Sequence, residues 1–268
     1  MTKNKVSILN LNEGPIKTKT IGKILVVTID RPKANAIDLK TSRIMGDIFK
    51  SLRDDKRLRV AILTASGEKF FCPGWDLKAA SEGDAVDGDY GVGGFGGLQE
   101  LPNMNKPVIA AIQGYCFGVG FEFSLACDFR IVTEDSQLSL PEMKIGMIPG
   151  SGGSARLAKM IGISRTKNII MRGKRLSGEE AYQLGIACEL VEKSELENMT
   201  QKIVKELISV SPLAQRTIKS VLNATQNATL HTSIDLEGEA YGRLRSSNDF
   251  KEGVESFSEK RPPSYKGN

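Results

Sequence analysis

Two glutamates and the glycines around them are the residues best suited to chemistry in this chain. Glu122 lies in GYCFGVGFEF (114–123), and Glu142 lies in LSLPEMKIGMIPGSGG (138–153). The first follows an apolar run, KPVIAAI (106–112), that reads as a buried strand. A turn from Gly114 to Gly120 and a helical stretch, FEFSLA, come next. The second glutamate sits just after Pro141, at the end of another short strand. One carboxyl on a helix and one on a loop can face each other across a pocket. Two carboxyls sharing a pocket hold their protons unequally, because one charge disfavours the next. Such a pair suits acid/base work. The glycines let backbone N–H groups approach a ligand at a helix N-terminus, where negative charge is favoured. Donors of that kind suit an oxyanion. Plainer uses exist for the same residue types. A Glu in a first helical turn compensates the dipole, and a Glu after Pro is often a solvated loop residue. Spacing alone leaves both open.

Elimination narrows the chemistry. The chain has a single histidine, His231, which reads as a surface helix residue. A Ser-His-Asp hydrolase or a histidine zinc site would have to use that one residue. GxSxG is absent, the sequence around Ser151 being PGSGG. Four cysteines, Cys72, Cys116, Cys127 and Cys188, form no CxxC and read as reduced, mostly buried thiols. No metal and no resident cofactor are expected. Carboxylates and backbone groups are left to carry any reaction.

The elements that position them follow from composition and periodicity. At 268 residues and 40% hydrophobic, the chain can bury a large core, as one domain or a domain with an appendage. The net charge of +5 suits an anionic ligand such as a nucleotide phosphate, but Lys and Arg are scattered, so no nucleic-acid partner is expected. No apolar run approaches a membrane span, and the first thirty residues lack signal-peptide character, which together imply a cytoplasmic protein without a membrane partner. Residues 16–30 read as two strands joined near Gly22, and Asp38 as the N-cap of a helix from Leu39. Strands are expected at 59–66, 106–112, 128–133, 137–140 and 188–192, with helices at 74–80, 98–104, 120–127, 154–172 and 177–184. Residues 81–97, rich in Gly and Asp, read as a mobile loop. GVGGFG (91–96) within it matches GxGxxG, but it follows an acidic loop rather than a strand and fails as a dinucleotide motif. From about residue 194 the pattern is wholly helical, with helices at 194–210, 212–226, 229–246 and 248–260. The expected architecture is an α/β core over 1–193 and a helical unit over 194–268.

Five ordered segments carry a resemblance: RPKANAID, KFFCPGWDLKAA, NKPVIAAIQGYCFGVGFEFSLACDF, LSLPEMKIGMIPGSGG and DFKEGVESFSEKRPP. Together they resemble the enoyl-CoA hydratase (crotonase) superfamily over roughly residues 16–266. Within it, RPKANAID, GWDLKAA, GGFGGL-x-E and the ending EKR-x-P-x-x-KG resemble the carnitinyl-CoA dehydratase subgroup. The resemblance implies a spiral of β-β-α repeats with a C-terminal helical domain that builds trimers, often paired into hexamers. It also implies acyl-CoA as the substrate and reversible hydration of an α,β-unsaturated thioester as the reaction. Glu122 and Glu142 fall on the family's two catalytic glutamates, with their roles open to sharing. The backbone N–H groups of Trp75 and Val119 fall on the oxyanion hole, and Gly150 on a position that holds the catalytic water. Lys33, Ala34, Gly74, Asp76 and Leu77 fall on CoA- and substrate-binding positions, as do Phe257 and Lys260 near the C-terminus.

One departure is that Val119 stands where the family commonly has glycine. A valine keeps the N–H but does not readily take positive φ. Trp75, Tyr90 and Phe95 could hold a trimethylammonium group or line an ordinary acyl pocket. General enoyl-CoA hydration or double-bond isomerisation stays open beside the carnitine-type substrate. So does a non-catalytic or RNA-binding role, against which both retained glutamates and the lack of a basic stripe count.

Overall fold

The computed structural model describes residues 10–83 and 88–268. Two sheets organise the first two-thirds of the chain. A β-hairpin, β1 (Ile16–Ile21) and β2 (Ile24–Ile29), turns at Gly22 and leads through a turn into helix α1 (Leu39–Asp54). Asp38 caps α1 as its sequence predicts, its side chain accepting the Thr41 N–H at 2.7 Å. The repeats follow. Strands β3 (Val60–Ala65) and β4 (Phe70–Cys72) precede α2 (Leu77–Ser81), and β5 (Val108–Ile112) and β6 (Tyr115–Phe117) precede α3 (Val119–Ala126). Then β7 (Phe129–Thr133) and β8 (Gln137–Ser139) lead to a 3-10 turn at Glu142–Ile145, α4 (Gly153–Ile161) and α5 (Ile163–Ile170). Strand β9 (Arg175–Ser177), α6 (Gly178–Gln183) and β10 (Glu189–Val191) close this part.

The first strand of each repeat joins one sheet and the second joins the other. The larger sheet has the order β1-β2-β3-β5-β7-β10, and the smaller β4-β6-β8-β9. All pairings of the larger sheet are parallel except β1 with β2, and in the smaller one only β9 runs antiparallel. The central strands β3 and β5 are covered on both faces, which explains why they read as apolar runs, whereas the edge strand β1 alternates between buried and exposed residues. Ala61, Leu63, Val108, Ala110 and Ile112 face the main core beneath α1 and α3, while Val60, Ile62, Ile109 and Ala111 face a second cluster with Ile203 and Val204 of α7. Helices α7 (Leu196–Ser209), α8 (Pro212–Thr225), α9 (Leu230–Arg245) and α10 (Asn248–Ser258) complete the chain. The α/β architecture with C-terminal helices thus matches the sequence expectation.

Three local expectations need correction. Residues 98–104 form turns rather than a helix. Leu98, Leu101 and Met104 are buried at helix-like spacing, but Pro102 supplies no N–H and Asn103 adopts φ 56°. The single helix expected over 154–172 is two, broken at Gly162, whose φ is 83°. The segment 81–97 is not a loose loop where it is described, residues 84–87 lying outside the described residues. Gly93, Gly96 and Gly97 are buried, and a Cβ on Gly97 would lie 2.5 Å from the Gly46 backbone of α1. Glycine here allows close backbone packing rather than motion. The strands β4, β6 and β9 span three residues each, too short for periodicity to reveal.

Candidate active site

The register of the smaller sheet builds the site. Cys72 pairs with Cys116, and Phe117 pairs with Ser139, all in parallel. Consequently the segments that leave β4, β6 and β8 emerge side by side. They carry Gly74-Trp75, Gly118-Val119 and Pro141-Glu142. Contact is close: a Cβ on Gly118 would sit 3.1 Å from Glu142 Oε1 and 3.4 Å from the Gly74 Cα. These segments form one side of a cavity of about 490 Å³, lined also by Glu122, Glu100, Tyr90, Phe95, Gly150 and Ser151.

Two backbone donors face this arrangement unpaired. Among the described residues, neither the Trp75 N–H nor the Val119 N–H has a protein acceptor. The flanking Gly74 carbonyl and Asp76 N–H are engaged, Ile37 N–H donating to Gly74 O at 2.9 Å and Asp76 N–H to Ile37 O at 2.8 Å. Val119 is the first residue of α3, so its N–H is one of the donors a helix leaves free. The valine raises no backbone problem, because the left-handed conformation falls on Gly118, with φ 53°. Two free N–H groups, one at a helix N-terminus, can together donate to one anionic oxygen.

Glu122, in the first turn of α3, is buried. Its Oε1 accepts the N–H groups of Ser151 at 2.9 Å and Gly153 at 3.0 Å, at the start of α4. Burial pushes its pKa up, while those two N–H groups and the nearby Arg156 guanidinium oppose the rise. Glu142 lies in the 3-10 turn after β8. Burial, opposed by its own backbone N–H and reinforced by the Glu122 charge, brings its pKa up to about 7. Among the described residues, Glu142 Oε2 and Trp75 Nε1 are buried without a hydrogen-bond partner, leaving them for water or a ligand.

A family model described as enoyl-CoA hydratase/isomerase matches residues 19–268. The chain belongs to the enoyl-CoA hydratase/isomerase family. It is 46% identical over 257 residues to a carnitinyl-CoA dehydratase of Salmonella paratyphi A, covering 92% of this chain and 96% of that one. It is 45% identical over 252 residues to the Proteus mirabilis protein of the same name, covering 92% and 97%. An enoyl-CoA hydratase crystal structure from Mycobacterium tuberculosis superposes with a TM-score of 0.89 at 32% identity, covering 96% of this chain and 100% of that one. As a hydratase-type enzyme of this family, the protein has an acyl-CoA substrate. Among the described residues, no helix is long and apolar enough to cross a membrane.

The fold gathers Glu122, Glu142, Trp75, Val119, Gly74, Leu77 and Gly150 around the cavity of this hydratase. Lys33 and Ala34 lie on the turn that enters α1, which the Ile37 hydrogen bonds pin to the Gly74–Asp76 segment. Lys33 is exposed and takes φ 79°. Asp76 has scaffold duties, capping α2 through the N–H groups of Lys78 and Ala79 and pairing with Arg31 at 2.6 Å. Phe257 and Lys260 are not brought to the cavity. Phe257 is exposed beside a separate groove of the C-terminal helices, and Lys260 follows α10. His231 is exposed on α9.

Sequence reasoning missed four supports of the site. Ser151 and Gly153 hold Glu122. Arg156 donates to Ser151 O and Gln99 O, tying α4 to the segment before β5. Arg31 bridges Asp38 at 2.9 Å and Asp76 at 2.6 Å, joining the start of α1 to the segment that carries Trp75. The PGSGGSAR string, with its glycines before a helix, held a clue to the first two and to Arg156. Nothing local announced the role of Arg31, whose two partners lie 7 and 45 residues away.

Proposed function

We propose that this hydratase interconverts crotonobetainyl-CoA and carnitinyl-CoA. The observation that carries this substrate is an aromatic wall. The Tyr90 and Phe95 rings stack with centroids 4.6 Å apart, and Trp75 meets Phe95 edge-on at 6.1 Å. A trimethylammonium group has no N–H to donate, so aromatic faces are its natural contacts. The names of the relatives at 45% and 46% identity support the same substrate.

In the mechanism proposed, the thioester oxygen accepts from the N–H groups of Trp75 and Val119. Enolate charge developing there is offset; each such donor contributes roughly 3 kcal/mol in the transition state. Glu142 takes a proton from a water held at the Gly150 turn as the water oxygen bonds to C3. Glu122 delivers a proton to C2. The pair ends with its proton on the opposite member, and transfer back through water restores it. Dehydration retraces the path, and the two glutamates can share the roles. Gly74, Leu77, Lys33, Ala34 and the Asp76 backbone flank the CoA path. Phe257 and Lys260 reach CoA only from a second copy of the chain, as in a homotrimer or a pair of trimers.

The test is turnover of crotonobetainyl-CoA and crotonyl-CoA side by side, followed by loss of the enoyl thioester absorbance. Strong preference for the first is expected. Preference for crotonyl-CoA would move the assignment to general enoyl-CoA hydration.

A further inference from the structure

Glu100 lines the same cavity but has no part in the hydration chemistry. It is exposed, and among the described residues its carboxylate has no hydrogen bond and no ion pair within 4.0 Å. Its position is nonetheless fixed from the main chain. The Glu100 N–H donates to Gly93 O at 3.0 Å, folding the 91–100 segment back on itself. A Cβ on Gly94 would lie 2.6 Å from the Glu100 carboxyl carbon, so the carboxylate rests against the backbone that carries Phe95. Phe95 in turn contacts both Tyr90 and Trp75. A carboxylate and three aromatic rings thus share one wall.

The charges around it are few. Glu122, Glu142 and Lys144 line the cavity as well. Arg156 senses Glu122 first and Glu100 less, but its guanidinium is spent on the carbonyls of Gln99 and Ser151. An unpaired carboxylate beside aromatic faces, opening into an acyl pocket, is a site for a cation that cannot hydrogen-bond.

We infer that Glu100 is the counter-charge for the cationic end of the acyl group and selects cationic over neutral acyl chains. This rests on the trimethylammonium substrate proposed above. Hydration leaves the ammonium charge unchanged, so the attraction to it is the same in ground and transition states. It therefore acts on KM rather than kcat.

The experiment compares crotonobetainyl-CoA with 5,5-dimethylhex-2-enoyl-CoA, in which carbon replaces the quaternary nitrogen and shape is kept. In E100Q the cation-to-isostere ratio of kcat/KM is expected to fall about tenfold, through KM for the cation, with E100K falling further and E100D recovering part. In the wild-type enzyme the same ratio is expected to fall as salt is raised, which tests the charge without any substitution. If the wild type prefers the cation but both the E100Q ratio and the salt series stay flat, the substrate assignment stands and the role of Glu100 is refuted. If the wild type shows no preference for the cation over its isostere, the substrate assignment fails and Glu100 loses its role with it.

Discussion

Gly153 holds Glu122 from the start of α4: its N–H donates to Oε1 at 3.0 Å, and a Cβ in its place would lie 2.7 Å from the Glu122 Cγ. Real Cβ contacts are not that short, so any side chain here displaces the carboxylate or the helix. Gly153→Ala should therefore lower kcat about a hundredfold while costing only about 1–3 kcal/mol of stability. Steady-state kinetics paired with thermal melting would check both. Full activity in the variant would mean that Glu122 needs no such placement.

In the proposed mechanism the glutamates act as a pair. Glu122→Gln and Glu142→Gln should each lower hydration kcat by about 10²–10⁴-fold. The double variant should be little worse than the poorer single one, because one missing partner already stops the proton path. Multiplying losses would show two independent roles. Retained double-bond migration in Glu142→Gln, with hydration lost, would point to an isomerase.

The pH dependence follows from Glu142, whose pKa burial brings up to about 7. If it must be ionised to activate water, kcat/KM for hydration falls as pH drops through about 7. Stability moves the other way. Between the ordinary carboxyl range and about 7 the folded state binds more protons than the unfolded one, so stability declines as pH rises through that window. Glu142→Gln removes the decline. Discounted for the solvent that reaches the cavity, the gain at pH 8 over wild type should be about 1–2 kcal/mol, vanishing near pH 4. Denaturant melts at the two pH values would decide it, a pH-independent difference counting against the assignment.

Arg31 ties two segments that the chain keeps far apart. Replacing it by Leu leaves the largely buried Asp38 and Asp76 carboxylates facing each other unpaired. A loss of about 2–4 kcal/mol is expected, together with reduced kcat because the Trp75 N–H is no longer held in place. Arg31→Lys should recover only part, since one ammonium cannot reproduce the two-pronged bridge. Equal kcat in wild type and Arg31→Leu would separate the ion pairs from the site.

The aromatic wall makes a substrate-specific prediction. Trp75→Leu and Tyr90→Leu keep the backbone donors but lose ring faces. Each should lower kcat/KM for crotonobetainyl-CoA about three- to tenfold more than for crotonyl-CoA. Equal losses on both substrates would make these rings ordinary pocket lining.

Much of this protein was legible from local patterns. The apolar runs at 24–29, 60–65 and 108–112 became the buried parallel strands, because strands covered on both faces need no polar positions. Asp38 announced its helix, since capping is settled within one turn. Glu122, Glu142 and the glycines beside them stood out for the same reason, as residue types rare in such apolar company. Where local signals were imitated, the reading went astray: Leu98, Leu101 and Met104 copied a helical face around a proline, and the glycines of 91–97 suggested motion where they permit tight packing.

Tertiary structure alone decided what those residues do together. The three-residue strands β4, β6 and β8 carry no periodicity, yet their parallel register sets Trp75, Val119 and Glu142 side by side. The shift of Glu142 to about 7 depends on burial and on the charge of Glu122, neither of which a residue's own neighbours in sequence can supply. Nor could they reveal that α4 would aim two N–H groups at Glu122, or that Glu100 would come to rest on the wall built by Phe95. Sequence determined the elements and the chemical types, because propensity and capping act over a few residues. Proximity across 20 to 70 residues was decided by how two sheets stack their repeats, because hydrogen-bonded register, not local preference, chooses which turns meet.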